Sequence, residues 1–119
     1  MFCYTNLMSE KISLNETFRF DNEGFSGNVY VEGDSGQGFN ALLVEVHGHH
    51  PRKRILEGNT RAYYVVSGTG TFILEEVEHH VQENDLFVIP AGGEYEYTGE
   101  MKLFEFNVSP DNIFGDQKL

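Results

Sequence analysis

Apolar and polar residues alternate along most of this chain, in short runs that turn-forming residues separate. The alternation is clear in Phe18-Arg19-Phe20, in Val29-Tyr30-Val31 and from Ala41 to Val46. Successive side chains of a strand point to opposite sides of a sheet, so this period predicts β-strands with one buried face. Further strands are predicted at 61–67, 70–75, 79–82, 86–89, 94–98 and 102–108. No segment shows the apolar spacing of an amphipathic helix.

Clusters of Gly, Asn, Asp and Ser lie between these runs, at 21–24, 32–36 and 47–48. Such residues favour turns, and many short strands separated by turns indicate a β-sandwich or barrel. A chain of 119 residues can bury one core without disulfides or a structural metal. We therefore predict an all-β single domain over 1–119, in which 111–119 forms a loose carboxyl-terminal tail.

The alternation also predicts which side chains face the interior. Arg61, Tyr63 and Val65 share one face of their strand, and Tyr95 and Tyr97 share a face opposite two glutamates. We place the tyrosines inside and the glutamates in water, because burying an unpaired carboxylate costs several kcal/mol.

The same reasoning applied to the last strand places its aromatic residues inside. Phe104, Phe106 and Val108 alternate with Glu105 and Asn107. We therefore predict that the three apolar side chains face the core and the two polar ones face solvent.

Charge limits the kinds of partner. A formal net charge of −11 argues against nonspecific binding to nucleic acid or to an anionic membrane, since both need a positive field. We expect a small-molecule ligand instead. The single cysteine, Cys3, gives no disulfide framework, and no signal peptide or long apolar run is present, so we expect a cytoplasmic protein.

The cations are nevertheless concentrated. Four of the eight Lys and Arg residues, Arg52, Lys53, Arg54 and Arg61, fall within ten positions. The planar fork of arginine suits carboxylate or phosphate, so the cluster is a candidate wall for anion recognition. A solvated, salt-bridged edge of the sheet is the alternative interpretation.

One stretch of the chain carries its glycines at a characteristic spacing. Gly48 is followed after five residues by Arg54, after one more by Leu56, after four by Arg61 and after six by Gly68. This pattern resembles the first motif of the cupin superfamily, in which two histidines and a glutamate lie between the two glycines.

The segment 84–95 resembles the second cupin motif. It has Pro90-Ala91-Gly92 where the family has its proline and glycine, with Asn84 in place of a glycine and Tyr95 in place of a histidine. The resemblance covers about 39–110. It implies a small single-domain cupin of the cupin 2 type, whose fold is a double-stranded β-helix, or jelly-roll barrel.

The positions at which cupins hold a metal are occupied by other residues in this chain. They carry Arg54, Leu56, Arg61 and Tyr95, so the metal-binding motifs are degenerate and we expect no metal cofactor there. The resemblance implies a ligand-binding barrel interior with apolar lining from Leu56 and Val65. Its candidate binding residues are Arg54, Arg61, Tyr63, Tyr95 and Tyr97. We expect a small, acidic or sugar-like ligand, although these side chains could also fill the interior with no ligand.

Two other functions stay open, so the sequence leaves enzymatic activity undecided. In a sugar epimerase or isomerase of the kind some cupins represent, Tyr95 would be the acid and His47 or His49 the base. Alternatively, His47 and His49 could hold a divalent transition metal with Glu57. The spacing opposes this metal site, since eleven residues separate His49 from Arg61 where the family has three or four.

The resemblance also implies a homodimer, because small single-domain cupins commonly pair. The amino-terminal strands are rich in aromatic residues that could form the interface or close the core of one chain. These residues are Phe18, Phe20, Phe25 and Tyr30.

Overall fold

The computed structural model describes residues 10–33, 36–109 and 116–118. A 3-10 turn at Leu14–Glu16 precedes the first strand. Within the described residues, no helix is long and apolar enough to span a membrane. The predicted all-β fold is confirmed. The strands in chain order are β1 (Phe18–Asn22), β2 (Phe25–Val31), β3 (Phe39–Ile55), β4 (Thr60–Leu74), β5 (Val77–Gln82), β6 (Leu86–Ile89), β7 (Glu94–Val108) and β8 (Asp116–Lys118).

The three long strands lie next to one another in a single antiparallel sheet. The strand order is β1-β2-β3-β7-β4-β5, with β6 paired to β4 and β8 paired to β3. Strand β7 therefore pairs along nearly its whole length with β3 on one side and β4 on the other. The inner faces of these three strands supply most of the core, and these are the faces that carry the candidate site.

Two of the long strands join segments that the sequence predicts as separate strands. Strand β4 covers 61–67 and 70–75 except for its last residue, and β7 covers 94–98 and 102–108. The glycines between the segments do not turn the chain. Gly99 pairs with Gly48 on β3 and with Gly70 on β4, and a Cβ atom at Gly99 would lie 2.6 Å from the Cα atom of Gly70. Glycine allows the backbones to approach closely here.

The inner face is apolar and aromatic. Tyr63 and Val65 are fully buried, as predicted for the Arg61-Tyr63-Val65 face, and so are Phe72 and Leu103. Side chains from five strands meet in this core, and Phe20, Phe25, Leu42, Leu74 and Phe87 pack at its margin. The buried cluster consists of Val44, Val46, Ile55, Tyr63, Val65, Phe72, Val81, Ile89, Tyr95, Tyr97, Met101 and Leu103.

The predicted orientation of the end of β7 is wrong. Phe104 and Val108 are exposed on the outer face, whereas Asn107 is 2% exposed and faces inward. The register shifts in this sheet region lie on β3 and β4, and β7 itself contains no bulge. Its odd-numbered residues therefore stay inside from Tyr95 to the end of the strand. Arg61 donates a hydrogen bond to the side-chain oxygen of Asn107, which compensates for the burial of this polar group.

The carboxyl-terminal segment differs from a loose tail where the structure describes it. Residues Asp116–Lys118 form β8, which pairs antiparallel with β3 through Lys53, Arg54 and Ile55. The other residues of the predicted tail, 111–115 and 119, lie outside the described residues, as does Cys3.

Gly68, the closing glycine of the first motif, provides a test of the close strand packing. Its φ is +88°, and a Cβ atom there would lie 2.2 Å from the carbonyl oxygen of Glu100; Gly58 has a φ of +87° with open space around it. We expect Gly58→Ala to cost about 1 kcal/mol through the left-handed backbone alone, and Gly68→Ala to cost roughly 2 kcal/mol more. Urea unfolding of both variants measures this difference, and equal costs would contradict the close approach.

Candidate active site

A buried aromatic and cationic cluster occupies the inner face of the three long strands. Strand β4 contributes Arg61 and Tyr63, β7 contributes Tyr95 and Tyr97, and β3 contributes His50. The three tyrosines are at most 1% exposed, and His50 and Arg61 are each 7% exposed. Residues two positions apart in a strand point to the same side of the sheet. Because the three strands are neighbours, their inward-facing side chains meet.

His50 is held between aromatic rings. Its ring centroid lies 4.5 Å from that of Tyr97 in a stacked arrangement, 5.4 Å from that of Tyr95 and 4.6 Å from that of Phe25. These contacts fix the imidazole plane. The Nδ1 atom of His50 is buried and has no hydrogen-bond partner. An unpaired polar atom in a buried site is costly, so a hydrogen bond from a ligand would stabilise it.

Burial also sets the protonation state of this imidazole. Desolvation lowers the pKa of His50 to about 4, and the positive charge of Arg61 acts in the same direction. The backbone of Pro51 and the carboxylate of Asp116 act against that shift. His50 is therefore neutral at pH 7, with a nitrogen that can accept a proton.

Arg61, whose charge acts on His50, already has several partners of its own. Its Nη1 atom donates hydrogen bonds to the hydroxyl of Tyr95 and, over 3.0 Å, to Oδ2 of Asp116. Its Nη2 atom lies 3.0 Å from Oδ1 of Asp116. The two atoms form an ion pair, but the contact does not meet the geometry of a hydrogen bond. Its Nε atom donates to Asn107 and lies 3.3 Å from Oε2 of Glu105.

The charges around Arg61 leave the cluster acidic. One guanidinium faces two carboxylates, Glu105 and Asp116, so the formal sum is −1 when all three are ionised. Burial alone would lower the pKa of Arg61, but the negative charge of Glu105 raises it well above its ordinary value. The arginine therefore stays charged, and its fork is occupied by protein carboxylates.

The tyrosines remain protonated donors. Burial raises the pKa of Tyr63, Tyr95 and Tyr97 above the ordinary value, and the charge of Glu105 acts in the same direction. The hydroxyl oxygens of Tyr63 and Tyr95 lie 3.3 Å apart. A ligand in contact with these rings would meet hydroxyl groups that donate and accept hydrogen bonds.

Four of the five predicted binding residues are brought together, and Arg54 is not. Strand β3 has a β-bulge between His50 and Lys53, which changes the face to which later residues point. Ile55 is consequently buried. Arg54 instead donates a hydrogen bond of 3.0 Å to the carbonyl of Gly92, and it lies 3.7 Å from a carboxylate oxygen of Glu94.

Sequence reasoning missed His50, although the alternation contains the signal. Val44 and Val46 are buried on β3, and the same period continues to His50, while His47 and His49 are exposed on the other face. The sequence-based candidates were His47 and His49, and the histidine that lies inside is His50. These two outer histidines do not join Tyr95 in an acid and base pair.

The residues present do not fit the metal centre that the cupin resemblance suggests. The motif positions hold arginine, leucine and tyrosine side chains, and Glu57 is exposed like the two outer histidines. His49 pairs with Glu96 through Nε2 over 2.9 Å, and this hydrogen bond, with that of Arg52, lowers the pKa of Glu96. Across residues 10–33, 36–109 and 116–118, no three His, Cys, Asp or Glu side chains converge on a point.

The fold of this chain is similar to the folds of several proteins of known structure. The sequence matches no protein-family model and no curated protein. The fold is similar to that of Pac13, described as a nucleoside dehydratase, with a TM-score of 0.76 and 26% identity over 85% of this chain and 82% of that one. Three further structures are of Pac13 from Streptomyces with uridine. Each carries one substitution, which replaces a tyrosine by phenylalanine in two of them and a histidine by glutamine in the third.

Other neighbours share the fold at lower identity. KdgF from a Halomonas species superimposes with a TM-score of 0.71 at 16% identity, over 85% of this chain and 94% of that one. A cupin-2 domain protein from Shewanella frigidimarina superimposes with a TM-score of 0.60 at 20% identity, over 72% of this chain and 82% of that one. The chain has the cupin fold, as the two motifs predicted.

Proposed function

We propose that this protein binds an uncharged nucleoside in the barrel interior and removes water from it, with His50 as the proton acceptor and without a metal. The observation that carries the proposal is the buried, neutral imidazole of His50, which is held between aromatic rings and has an unpartnered nitrogen. Buried titratable groups with perturbed pKa values are typical of catalytic sites.

The spacing of three residues along the chain supports a comparison with the nucleoside dehydratase Pac13. The residue numbers of the substitutions in the uridine-containing Streptomyces structures place the histidine 13 residues before one tyrosine, which lies 34 residues before the other. His50, Tyr63 and Tyr97 have the same separations, because 63 − 50 is 13 and 97 − 63 is 34. All three are buried here, and the rings of Tyr63 and Tyr97 lie 5.5 Å apart.

The cluster contains the groups that a dehydration needs. A proton passes from a substrate carbon to Nδ1 of His50, and the electron pair of that bond forms a double bond as the hydroxyl on the adjacent carbon departs. The imidazolium returns the proton to the departing hydroxyl, so that water is released and His50 is neutral again. Imidazole is a weak base, so the reacting carbon must be acidified by a neighbouring carbonyl group.

The charges favour an uncharged, sugar-like ligand over an acidic one. Glu105 and Asp116 already occupy the guanidinium of Arg61, and a ligand phosphate or carboxylate would add to a negative cluster. The tyrosine rings offer apolar faces with polar hydroxyls, a combination that suits the base and ribose of a nucleoside.

Thermal unfolding in the presence of uridine tests the proposal. A ligand at 100 times its Kd should stabilise the fold by about 2.7 kcal/mol, so the melting temperature should rise with uridine concentration. Nucleosides oxidised at one hydroxyl to an aldehyde or ketone should then lose 18 Da, a loss followed by mass spectrometry. Ribose alone is the control for the contribution of the base. Failure of every nucleoside to bind or to lose water would contradict the proposed function.

A further inference from the structure

One cation of the cluster at 52–61 faces the candidate active site. Lys53 pairs with Tyr95 across β3 and β7, and residues directly opposite each other in antiparallel strands point to the same face of the sheet. Tyr95 is 1% exposed and lies inside, so the side chain of Lys53 points toward the interior. Ile55 is buried on the same face, whereas Lys53 is only partly buried. The lysine therefore lies at the margin of the buried cluster.

The β-bulge of β3 makes Lys53 the neighbour of His50 on this face. The step from His50 to Lys53 covers three residues of β3, and the matching step from Tyr97 to Tyr95 covers two residues of β7. The bulge takes up the extra residue, so His50 and Lys53 are consecutive inward-facing positions. Such positions lie roughly 7 Å apart along a strand, which is twice the rise per residue. Burial is the main cause of the lowered pKa of His50, and the charge of Lys53 acts in the same direction.

Lys53 differs from the other cations of the cluster in its partners. Arg52, Arg54 and Arg61 each form an ion pair with a carboxylate. Within residues 10–33, 36–109 and 116–118, no carboxylate forms an ion pair with Lys53. An ammonium group has three hydrogen-bond donors. Lys53 can therefore turn its donors toward a ligand beside His50, whereas the donors of Arg61 are occupied by the protein.

The proposed loss of water creates negative charge that the site has to stabilise. When His50 takes a proton from the carbon beside a carbonyl group, the electron pair of the C–H bond moves onto the carbonyl oxygen. That pair then returns to form the carbon–carbon double bond, and the departing hydroxyl takes the proton from His50 and leaves as water. A positive group at the oxygen lowers the barrier, because it meets a charge that is present during the reaction and absent from the uncharged substrate.

We propose, building on the proposed function, that Lys53 is a further catalytic residue, whose ammonium group donates a hydrogen bond to the carbonyl oxygen of a nucleoside oxidised in its sugar. The ammonium is a compact charge on a flexible stem, so it can follow the oxygen as its charge grows. The neighbouring tyrosine hydroxyls are neutral donors, and Arg61 is held by Glu105 and Asp116. Because His50 and Lys53 are adjacent on one face, the carbon that loses its proton and the carbonyl oxygen two bonds away can contact one residue each.

Replacing Lys53 with methionine tests this role, because methionine is also unbranched and carries no charge. We expect Lys53→Met to lower kcat/KM for loss of water from an oxidised nucleoside by about 10²- to 10³-fold, the usual effect of removing one donor to an oxyanion. Its Kd for uridine should not change, since uridine has no carbonyl group in its sugar. Lys102→Met is the matched control. Lys102 is also partly buried, but it lies opposite Glu45 on the outer face, so this variant should keep wild-type kinetics.

Proton exchange separates a catalytic role from a structural one. An oxidised nucleoside without the departing hydroxyl cannot lose water, but His50 can still exchange the proton beside its carbonyl group for deuterium from D2O, which NMR follows. Lys53→Met should slow this exchange by about 10²- to 10³-fold as well, and Lys102→Met should leave it unchanged. Lys53→Gln, which also removes the charge, is the second variant if Lys53→Met fails to fold by circular dichroism.

Two results would overturn the inference and leave the proposed function standing. Wild-type rates of exchange and of water loss in Lys53→Met would show that Lys53 does not meet the carbonyl oxygen. Weaker binding of uridine with an unchanged kcat would make Lys53 a binding residue only. If the wild type neither binds uridine nor releases water from any oxidised nucleoside, the proposed function fails and the role of Lys53 fails with it.

Discussion

Replacing His50 with glutamine is expected to lower kcat/KM for the loss of water by about 10²- to 10⁴-fold, which is the usual contribution of a general base. Glutamine has a similar length and can still form hydrogen bonds, but its amide does not accept a proton in this pH range. Uridine binding should change much less, since the tyrosine rings remain. The measurement is steady-state kinetics with an oxidised nucleoside, together with calorimetric titration of uridine.

The neighbouring histidine provides the control. His49 is 56% exposed on the opposite face of β3 and pairs with Glu96, so His49→Gln should retain wild-type kinetics. Equal losses in both variants would indicate a general effect on the strand. Retention of full activity in His50→Gln, with uridine still bound, would remove His50 from the reaction while leaving nucleoside binding intact.

The pH dependence gives a readout that a purely structural histidine would not move. The pKa of His50 is lowered to about 4, so the acid limb of kcat/KM should have its midpoint near pH 4 and not near the ordinary pKa of about 6.5. The lowered pKa of His50 also makes the free energy of unfolding decrease at acid pH. The unfolded chain binds the proton more readily than the folded one, so stability from the neutral imidazole is fully present above the unfolded pKa. It is lost as pH falls from there to about 4.

Much of the fold could be predicted because alternation and motif spacing report directly on a sheet with one buried face. Tyr63, Tyr95 and Tyr97 face inward as expected, since period-two patterning holds wherever the strand is regular. The glycines at 68 and 99 misled the prediction of strand ends, because a glycine needed for close backbone approach has the same letter as one that turns the chain.

The candidate site was harder to predict because irregular features decide it. The β-bulge after His50 turns Arg54 away from the interior, and a bulge leaves little trace in a single sequence. Asp116 reaches Arg61 from a strand 55 positions along the chain. No local pattern shows such a long-range pairing, so an arginine that appeared available for an anion has a carboxylate of its own.

Asp116→Asn is expected to change which ligand the site prefers. Asp116 is the carboxylate that faces both terminal nitrogens of Arg61, where a ligand phosphate would otherwise bind in a bidentate manner. Removing its charge changes the formal sum at Arg61 from −1 to zero, because Glu105 remains. At an effective dielectric constant of about 20 and a distance of roughly 6 Å, one charge is worth about 3 kcal/mol.

We therefore expect the affinity of Asp116→Asn for uridine monophosphate to rise by about 10- to 100-fold, while the affinity for uridine changes little. Calorimetric titration of both ligands into the wild type and the variant measures the two effects separately. Asp21→Asn is the matched control, since Asp21 pairs with Arg19 at 3.0 Å on an exposed strand and should leave both affinities unchanged. If uridine binds the wild type but Asp116→Asn gains nothing for the monophosphate, the charge argument fails and nucleoside binding stands; if neither ligand binds either protein, nucleoside binding itself fails.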